Sequence, residues 1–196
     1  MPAVETLQDC LILMEIRPAT AADIPGIVAI YGPSVATGTA SFELTPPDAA
    51  EMLRRFESIT AHGFPYVVAI IDGAVAGYAY ASSYRTRPAY RFTVENSIYV
   101  SPAFQGRKVG TALLGRLISD CTERGFRQMI AVIGDSANFA SITLHRRAGF
   151  RFSGVLHGVG FKFGRWLDSV QMELPLGQGE HLPPEESQLP LPLRLL

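Results

Sequence analysis

Lysine is almost missing from this chain: Lys108 and Lys162 are the only two among 17 basic residues, the rest being arginine. Against 18 acidic residues the net charge is −1, so the broad basic footprint of a nucleic-acid-binding protein is not there. Cysteine is equally scarce. Cys10 and Cys121 stand far apart without C-x-x-C spacing, which implies neither a disulfide framework nor a zinc site. Free thiols in a reducing cytoplasm are the simplest reading. The four histidines, at positions 62, 145, 157 and 181, show no ligand spacing, and no metal is expected. No apolar run approaches the roughly 20 residues that span a bilayer. The short apolar run Cys10–Met14 follows acidic Glu5 and Asp9 rather than a basic region, a poor match to a signal peptide. A cytoplasmic protein without membrane or nucleic-acid partners is expected.

One further absence is local. No acidic residue lies between Asn96 and Ser119, whereas Arg107, Lys108 and Arg116 fall inside that window. The surrounding segment reads as a strand (Thr93–Val100), a glycine-bearing basic turn, and a helix from Gly110 to Arg124 with one apolar face and Gly125 as its C′ residue. Such a turn offers unpaired backbone N–H groups at the positive end of a helix, which suits phosphate. It is neither G-x-G-x-x-G nor a P-loop, so the turn alone also fits an ordinary strand-to-helix connection. On the preceding strand, alternation puts Thr93, Glu95, Ser97 and Tyr99 on one face, a polar set that suits the wall of a cleft.

The rest of the chain reads as one domain's worth of short elements. A first strand spans Leu11–Arg17, and Thr20-Ala21-Ala22-Asp23 resembles a capping box opening a helix. A second helix is expected after Thr45-Pro46-Pro47, with the prolines in its first turn. Strands Tyr66–Ile71 and Val75–Ser82 are joined by the tight-turn signal Asp72-Gly73. Ser83–Phe92 reads as an arginine-rich loop. Gln128–Ile133 is a strand, Ala137–Ala148 a helix, and Phe150–Leu156 and Trp166–Leu174 two more strands. Pro175–Leu196 carries five prolines and no periodicity, and reads as a flexible or extended tail. The order β-α-α-β-β-β-α-β-α-β-β implies an α/β (α+β) fold: a mixed, mostly antiparallel twisted sheet with helices on both faces. Residues 1–14 form an N-terminal extension, 15–174 the domain, and 175–196 the tail.

That order resembles the GNAT superfamily of acetyl-coenzyme A-dependent N-acetyltransferases, within it the phosphinothricin and methionine sulfone/sulfoximine acetyltransferase group. The resemblance rests on Arg17-Pro18-Ala19-Thr20-Ala21-Ala22-Asp23, Ser41-Phe42-Glu43, Gly77-Tyr78-Ala79-Tyr80-Ala81, Arg85-Thr86-Arg87-Pro88-Ala89-Tyr90, Thr93–Val100, Asn138-Phe139-Ala140-Ser141, Leu144-His145 and Gly160–Asp168. It implies that the basic turn is the pyrophosphate loop, with Gln105, Gly106, Arg107, Lys108, Val109, Gly110 and Thr111 on the cofactor. Lys108 stands where the family pattern has glycine. A left-handed backbone there would cost a lysine roughly 1–2 kcal/mol, while its ammonium can serve the phosphates.

The resemblance also assigns roles. Glu95 is the general base, acting through water, and the backbone N–H of Val100 faces the acyl oxygen where the sheet splays. Asn138 contacts the pantetheine arm, although it equally suits a helix N-cap, and Ser141 is a further cofactor contact. His145 stands where relatives carry a tyrosine acid; a histidine packed against its neighbours is the alternative. Arg85, Arg87 and Tyr90 are candidates for an anionic amino-acid substrate. Phe42, Glu43, Lys162 and Trp166 are candidates for the pocket rim or a subunit interface, a homodimer being expected. Ser141 and His145 lack the G-x-S-x-G elbow of a serine nucleophile. The expected activity is acetylation of a small amino-acid-like α-amine; the rival is a catalytically silent acyl-coenzyme A-binding module.

Overall fold

The computed structural model describes residues 13–194. Its elements run β1 (Glu15–Pro18), α1 (Ile24–Thr37), α2 (Ala49–Ala61), β2 (Tyr66–Ile71), β3 (Ala74–Ser83), β4 (Thr93–Val100), α3 (Val109–Glu123), β5 (Gln128–Gly134), α4 (Phe139–Arg147), β6 (Arg151–Lys162) and β7 (Arg165–Pro175), the expected order. A short helix, α5 (Leu191–Arg194), follows. Seven strands form one sheet in the order β1-β2-β3-β4-β5-β7-β6. Every neighbouring pair is antiparallel except β4–β5.

β3 explains how helices settle on both faces. Its sequence alternates small and aromatic residues, and alternation sends them to opposite sides of the sheet. Gly77, Ala79 and Ala81 face α3 so closely that a Cβ on Gly77 would come within 3.0 Å of both Leu113 and Val109. Tyr78 and Tyr80 face α1 and α2, where Tyr66, Tyr78 and Tyr99 stack and pack with Ile27, Tyr31, Val35 and Met52. The α3 face buries Leu113, Leu114, Leu117, Met129 and Phe126 against the sheet. Each fully buried side chain of this kind contributes about 1.5–3 kcal/mol relative to exposure.

Some boundaries differ from the sequence reading. The first strand begins at Glu15, and the Leu11–Ile12 part of its expected span lies outside the described residues. Thr45-Pro46-Pro47 does not open α2. Asp48 does, its side chain accepting from the Glu51 N–H at 2.8 Å, so the prolines precede the cap. β6 runs six residues past Leu156 to Lys162, through two irregularities in its pairing with β7 that mask the alternation.

The segment after β7 is also corrected. Leu176, Leu189 and Leu193 are buried in the α3-side core with Phe64, Phe126 and Cys121. The Leu176 N–H donates to the Arg127 carbonyl at 3.0 Å, the Arg127 guanidinium donates to the Pro183 carbonyl, and Arg91 pairs with Glu186. The segment is anchored, by leucines whose spacing between prolines follows neither helical nor strand period.

Candidate active site

The site follows from where β4 stops pairing. β4 runs parallel to β5 only from Thr93 opposite Gln128 to Asn96 opposite Ala131. Beyond that point β4 stays with β3 up to Val100 opposite Gly77, and β5 stays with β7 up to Gly134 opposite Ser169. Each strand keeps its outer partner, and the sheet opens between them. Ser101 N–H donates to Ala76 O and Tyr84 N–H to Thr93 O, so the odd-numbered residues of β4 bond to β3. Alternation in an antiparallel ladder then turns the N–H groups of Ile98 and Val100 toward the opening.

Two clefts meet there. On the α3 and α4 face lies a cleft of about 800 Å³, lined among others by Val100, Gln105, Gly106, Lys108, Val109, Gly110, Thr111, Asn138, Ser141 and His145. On the α1 and α2 face lies one of about 490 Å³, lined by Ser41, Phe42, Tyr84, Arg85, Glu95 and Gln171 among others. Ala40, Ser97, Tyr99, Val132 and Gly134 line both, so the clefts share a wall at the splay.

The first cleft carries backbone amides of the kind that suit phosphate. The earliest α3 amide to find a backbone partner is Ala112, which donates to Lys108 O, leaving those of Val109, Gly110 and Thr111 without a helical acceptor. Gly106 and Lys108 both have positive φ, 77° and 62°, which curls the turn so that these amides stand at its rim. Lys108 therefore sits in the left-handed conformation that glycine tolerates best. A Cβ on Gly110 would lie 3.3 Å from Leu144, so α3 and α4 approach closely there. Arg107 does not line this cleft; its guanidinium lies 5.4 Å over the Phe104 ring. Asn138 caps α4, its Oδ1 accepting from the Ser141 N–H at 3.2 Å, and it still lines the cleft.

His145 is not free to act as a simple acid. It is 4% exposed, with Nε2 3.0 Å from Asn96 Oδ1 and Nδ1 2.8 Å from the Ser141 carbonyl. Burial pushes its pKa down, against the Ser141 hydrogen bond. Both ring nitrogens are engaged by α4 and β4, so a proton leaving the ring toward the cleft would first have to break one of these contacts. Asn96, which the sequence reading passed over, holds Ile130 O through Nδ2 and so ties β4, β5 and α4 together where the splay begins.

In the second cleft Glu95 is half-buried. Burial pushes its pKa up, and the Arg85 charge pulls it partly back. Arg85 lies over the Tyr84 ring at 5.0 Å. Arg87 and Tyr90 do not line the cleft: Arg87 O accepts from the Tyr90 N–H in a short turn, and Tyr90 packs edge-on against Tyr84. Phe42 is a wall of the cleft, but Glu43 is not. It accepts from Arg55 at 2.7 Å and from the Tyr31 hydroxyl at 2.7 Å. Burial alone would raise its pKa, and these two donors bring it below the ordinary value. The sequence reading also missed Tyr84, Val132 and Gly134 as lining residues. Only Gly134 carries a signal, a glycine closing a strand where a side chain would meet the carbonyls of Thr39 and Ala40.

A strand splayed beside an amide-rimmed basic turn defines the class of the protein. Residues 36–150 match the acetyltransferase (GNAT) family profile, and the chain belongs to that family. It is 52% identical over 163 residues to the phosphinothricin N-acetyltransferase of Alcaligenes faecalis, covering 83% of each chain. It is 44% identical over 162 residues to the L-methionine sulfoximine/L-methionine sulfone acetyltransferase of Pseudomonas aeruginosa, covering 82% of this chain and 94% of that one. Among solved structures, a GNAT superfamily phosphinothricin acetyltransferase from Sinorhizobium meliloti in complex with acetyl-coenzyme A superposes with a TM-score of 0.86 at 53% identity, covering 88% of this chain and 94% of that one. The chain is an N-acetyltransferase that uses acetyl-coenzyme A, and the amide-rimmed turn and open cleft of this structure fit that cofactor.

Proposed function

We propose that this enzyme acetylates the α-amine of a small amino acid of the phosphinothricin or methionine sulfone/sulfoximine type. The reading rests on one observation: the cofactor cleft and the Glu95–Arg85 cleft share a wall where β4 leaves β5. Acetyl-coenzyme A supplies an activated acetyl thioester. Gln105, Gly106 and the amides from Val109 to Thr111 hold its phosphates, with the Lys108 ammonium beside them. Asn138 and Ser141 flank the arm that leads toward the splay. The Val100 N–H, turned into the opening, is the donor for the acyl oxygen. Glu95 takes the proton of the incoming ammonium, directly or through one water; its raised pKa brings it nearer the operating pH of a base. Arg85 pairs with the acceptor's carboxylate or phosphinyl group. His145 positions β4 against α4 through Asn96.

Assembly as a homodimer belongs to the proposal. Phe152, Leu156, Val159, Phe161, Phe163 and Trp166 are all more than half exposed along the edge strand β6, its turn and the start of β7. An apolar row of that extent on a sheet edge is what a second copy would cover. Cytoplasmic residence belongs to the proposal and is supported by Cys121, a buried free thiol. Among the described residues no helix is long and apolar enough to cross a membrane. The test is thiol release from acetyl-coenzyme A with phosphinothricin, methionine sulfone, methionine sulfoximine, ordinary amino acids and their decarboxylated amines. Preference for the carboxylate-bearing amines supports the reading; preference for the simple amines overturns it.

A further inference from the structure

Lys162, at the end of β6, is a buried ammonium whose role the chemistry above does not use. It is 4% exposed, and its Nζ donates to the backbone carbonyl of Ser41 at 2.8 Å, across 121 residues of sequence. A charge held in such a place is unfavourable unless its hydrogen bond does something an apolar side chain of the same length could not. What the bond reaches is the α1–α2 connection, and Ser41 and Phe42 of that connection line the acceptor cleft beside Glu95.

The same stretch is gripped at two further points. The Phe42 ring rests on two glycines: a Cβ on Gly160 would lie 2.5 Å from its Cε2, and one on Gly134 would lie 3.0 Å from its Cε1. From the helix side, the Tyr31 hydroxyl is 2.9 Å from Ser41 Oγ and donates to Glu43, which Arg55 holds in turn. Residues 41–43 are therefore stitched to α1 and α2 on one flank and to β6 on the other, and among the described residues only Lys162 supplies a charged hydrogen bond from the β6 side.

We propose that Lys162 is a positioning residue that clamps the α1–α2 connection onto β6, seating Phe42 on Gly160 and so fixing the width of the acceptor cleft. The inference rests on the acceptor-cleft reading above for its kinetic consequence, but not for its structural one. Lys162 sets acceptor binding and size selection; the clamp touches the cofactor cleft only at the shared wall, through Gly134, and none of its contacts reaches the α3 turn, so cofactor binding changes little.

The test uses the full chain with Lys162→Met and Gly160→Ala. In Lys162→Met the acceptor KM rises about tenfold or more, the usual worth of a charge-assisted hydrogen bond. The acetyl-coenzyme A KM stays within about twofold, and hydrogen exchange accelerates in residues 38–48 but not in 105–112. In Gly160→Ala, where the lysine is intact, the added methyl displaces Phe42, and the loss in kcat/KM grows with acceptor side-chain size. Unchanged acceptor KM and unchanged loop exchange in Lys162→Met overturn the clamp, as does a rise of both KM values together. If Lys162→Met does not fold, Gly160→Ala decides: a loss uniform across acceptor sizes overturns it. Loop exchange needs no acceptor, so a wrong substrate class would leave the exchange result standing.

Discussion

Replacing Lys108 by glycine pits backbone strain against charge at a single residue. With φ 62° and ψ 13°, Lys108 occupies the left-handed region, which costs an L-residue about 1–2 kcal/mol. Glycine removes that cost but gains unfolded-state freedom worth about 0.5–1 kcal/mol. Lys108→Gly should therefore be stabilising by about 0–1.5 kcal/mol. In a domain of this size about 1 kcal/mol moves Tm by roughly 2–4 °C. Cofactor affinity should move the other way. Lys108 is exposed in this structure, so its ammonium is worth the surface value of about 0.2–1 kcal/mol, and the Kd for coenzyme A should rise by up to about fivefold. Removing one cation should also flatten the dependence of that Kd on salt. Thermal unfolding without ligand and calorimetric titration across a salt series read the two effects separately. A fall in Tm would refute the strain argument, and tighter coenzyme A binding would refute the phosphate role of the ammonium.

Other substitutions probe the chemistry and the core. Glu95→Gln should keep coenzyme A affinity while turnover falls by about 10²–10⁴-fold, and turnover near wild type would remove Glu95 as the base. Because burial raises the Glu95 pKa, wild-type kcat/KM should fall with decreasing pH through a midpoint above that of an ordinary glutamate. Arg85 stabilises the ionised form, so Arg85→Ala should move this acid limb to still higher pH; a limb that moves lower contradicts the assignment. The same variant loses a charge-assisted contact worth roughly 1.5–3 kcal/mol, and its acceptor KM should rise by about tenfold or more, whereas Arg87→Ala, outside the cleft, should change it little. Leu189→Ala should cost about 2–5 kcal/mol in denaturant unfolding, since Leu189 is fully buried; a cost below about 1 kcal/mol would contradict the docking of the C-terminal segment.

The element order and the basic turn before α3 are legible in the sequence because they depend on local chemistry: alternation in β3 and β4, an apolar stripe on α3, and glycines at the turn. The opening between β4 and β5 is not, because pairing ends through the choice of outer partners, and nothing in Ile98 or Val100 as residues announces it. Arg85 and Arg87 look alike in sequence, two positions apart in one loop. Arg87 caps the turn Pro88–Tyr90 and stays outside the cleft, whereas Arg85 lines it beside Glu95. Glu43 reads as part of the pocket rim because its neighbour Phe42 belongs to it. Its partners Tyr31 and Arg55 are 12 residues away on either side, beyond the reach of any motif. The buried leucines after β7 are hidden by their prolines, which erase the periodicity that burial normally leaves in a sequence.

Those leucines have a consequence for how the chain matures. Phe64 and Phe126 lie in the connections leading into β2 and β5, yet the side chains that complete their packing, Leu189 and Leu193, come from the far end of the described chain. Vectorial synthesis thus presents a half-built core whose apolar surface waits for its final partners. Such high-contact-order closure is slow and exposes intermediates to aggregation. Yield in cells should therefore respond to growth temperature, and to changes after Leu176, more sharply than active-site substitutions of equal stability cost would suggest.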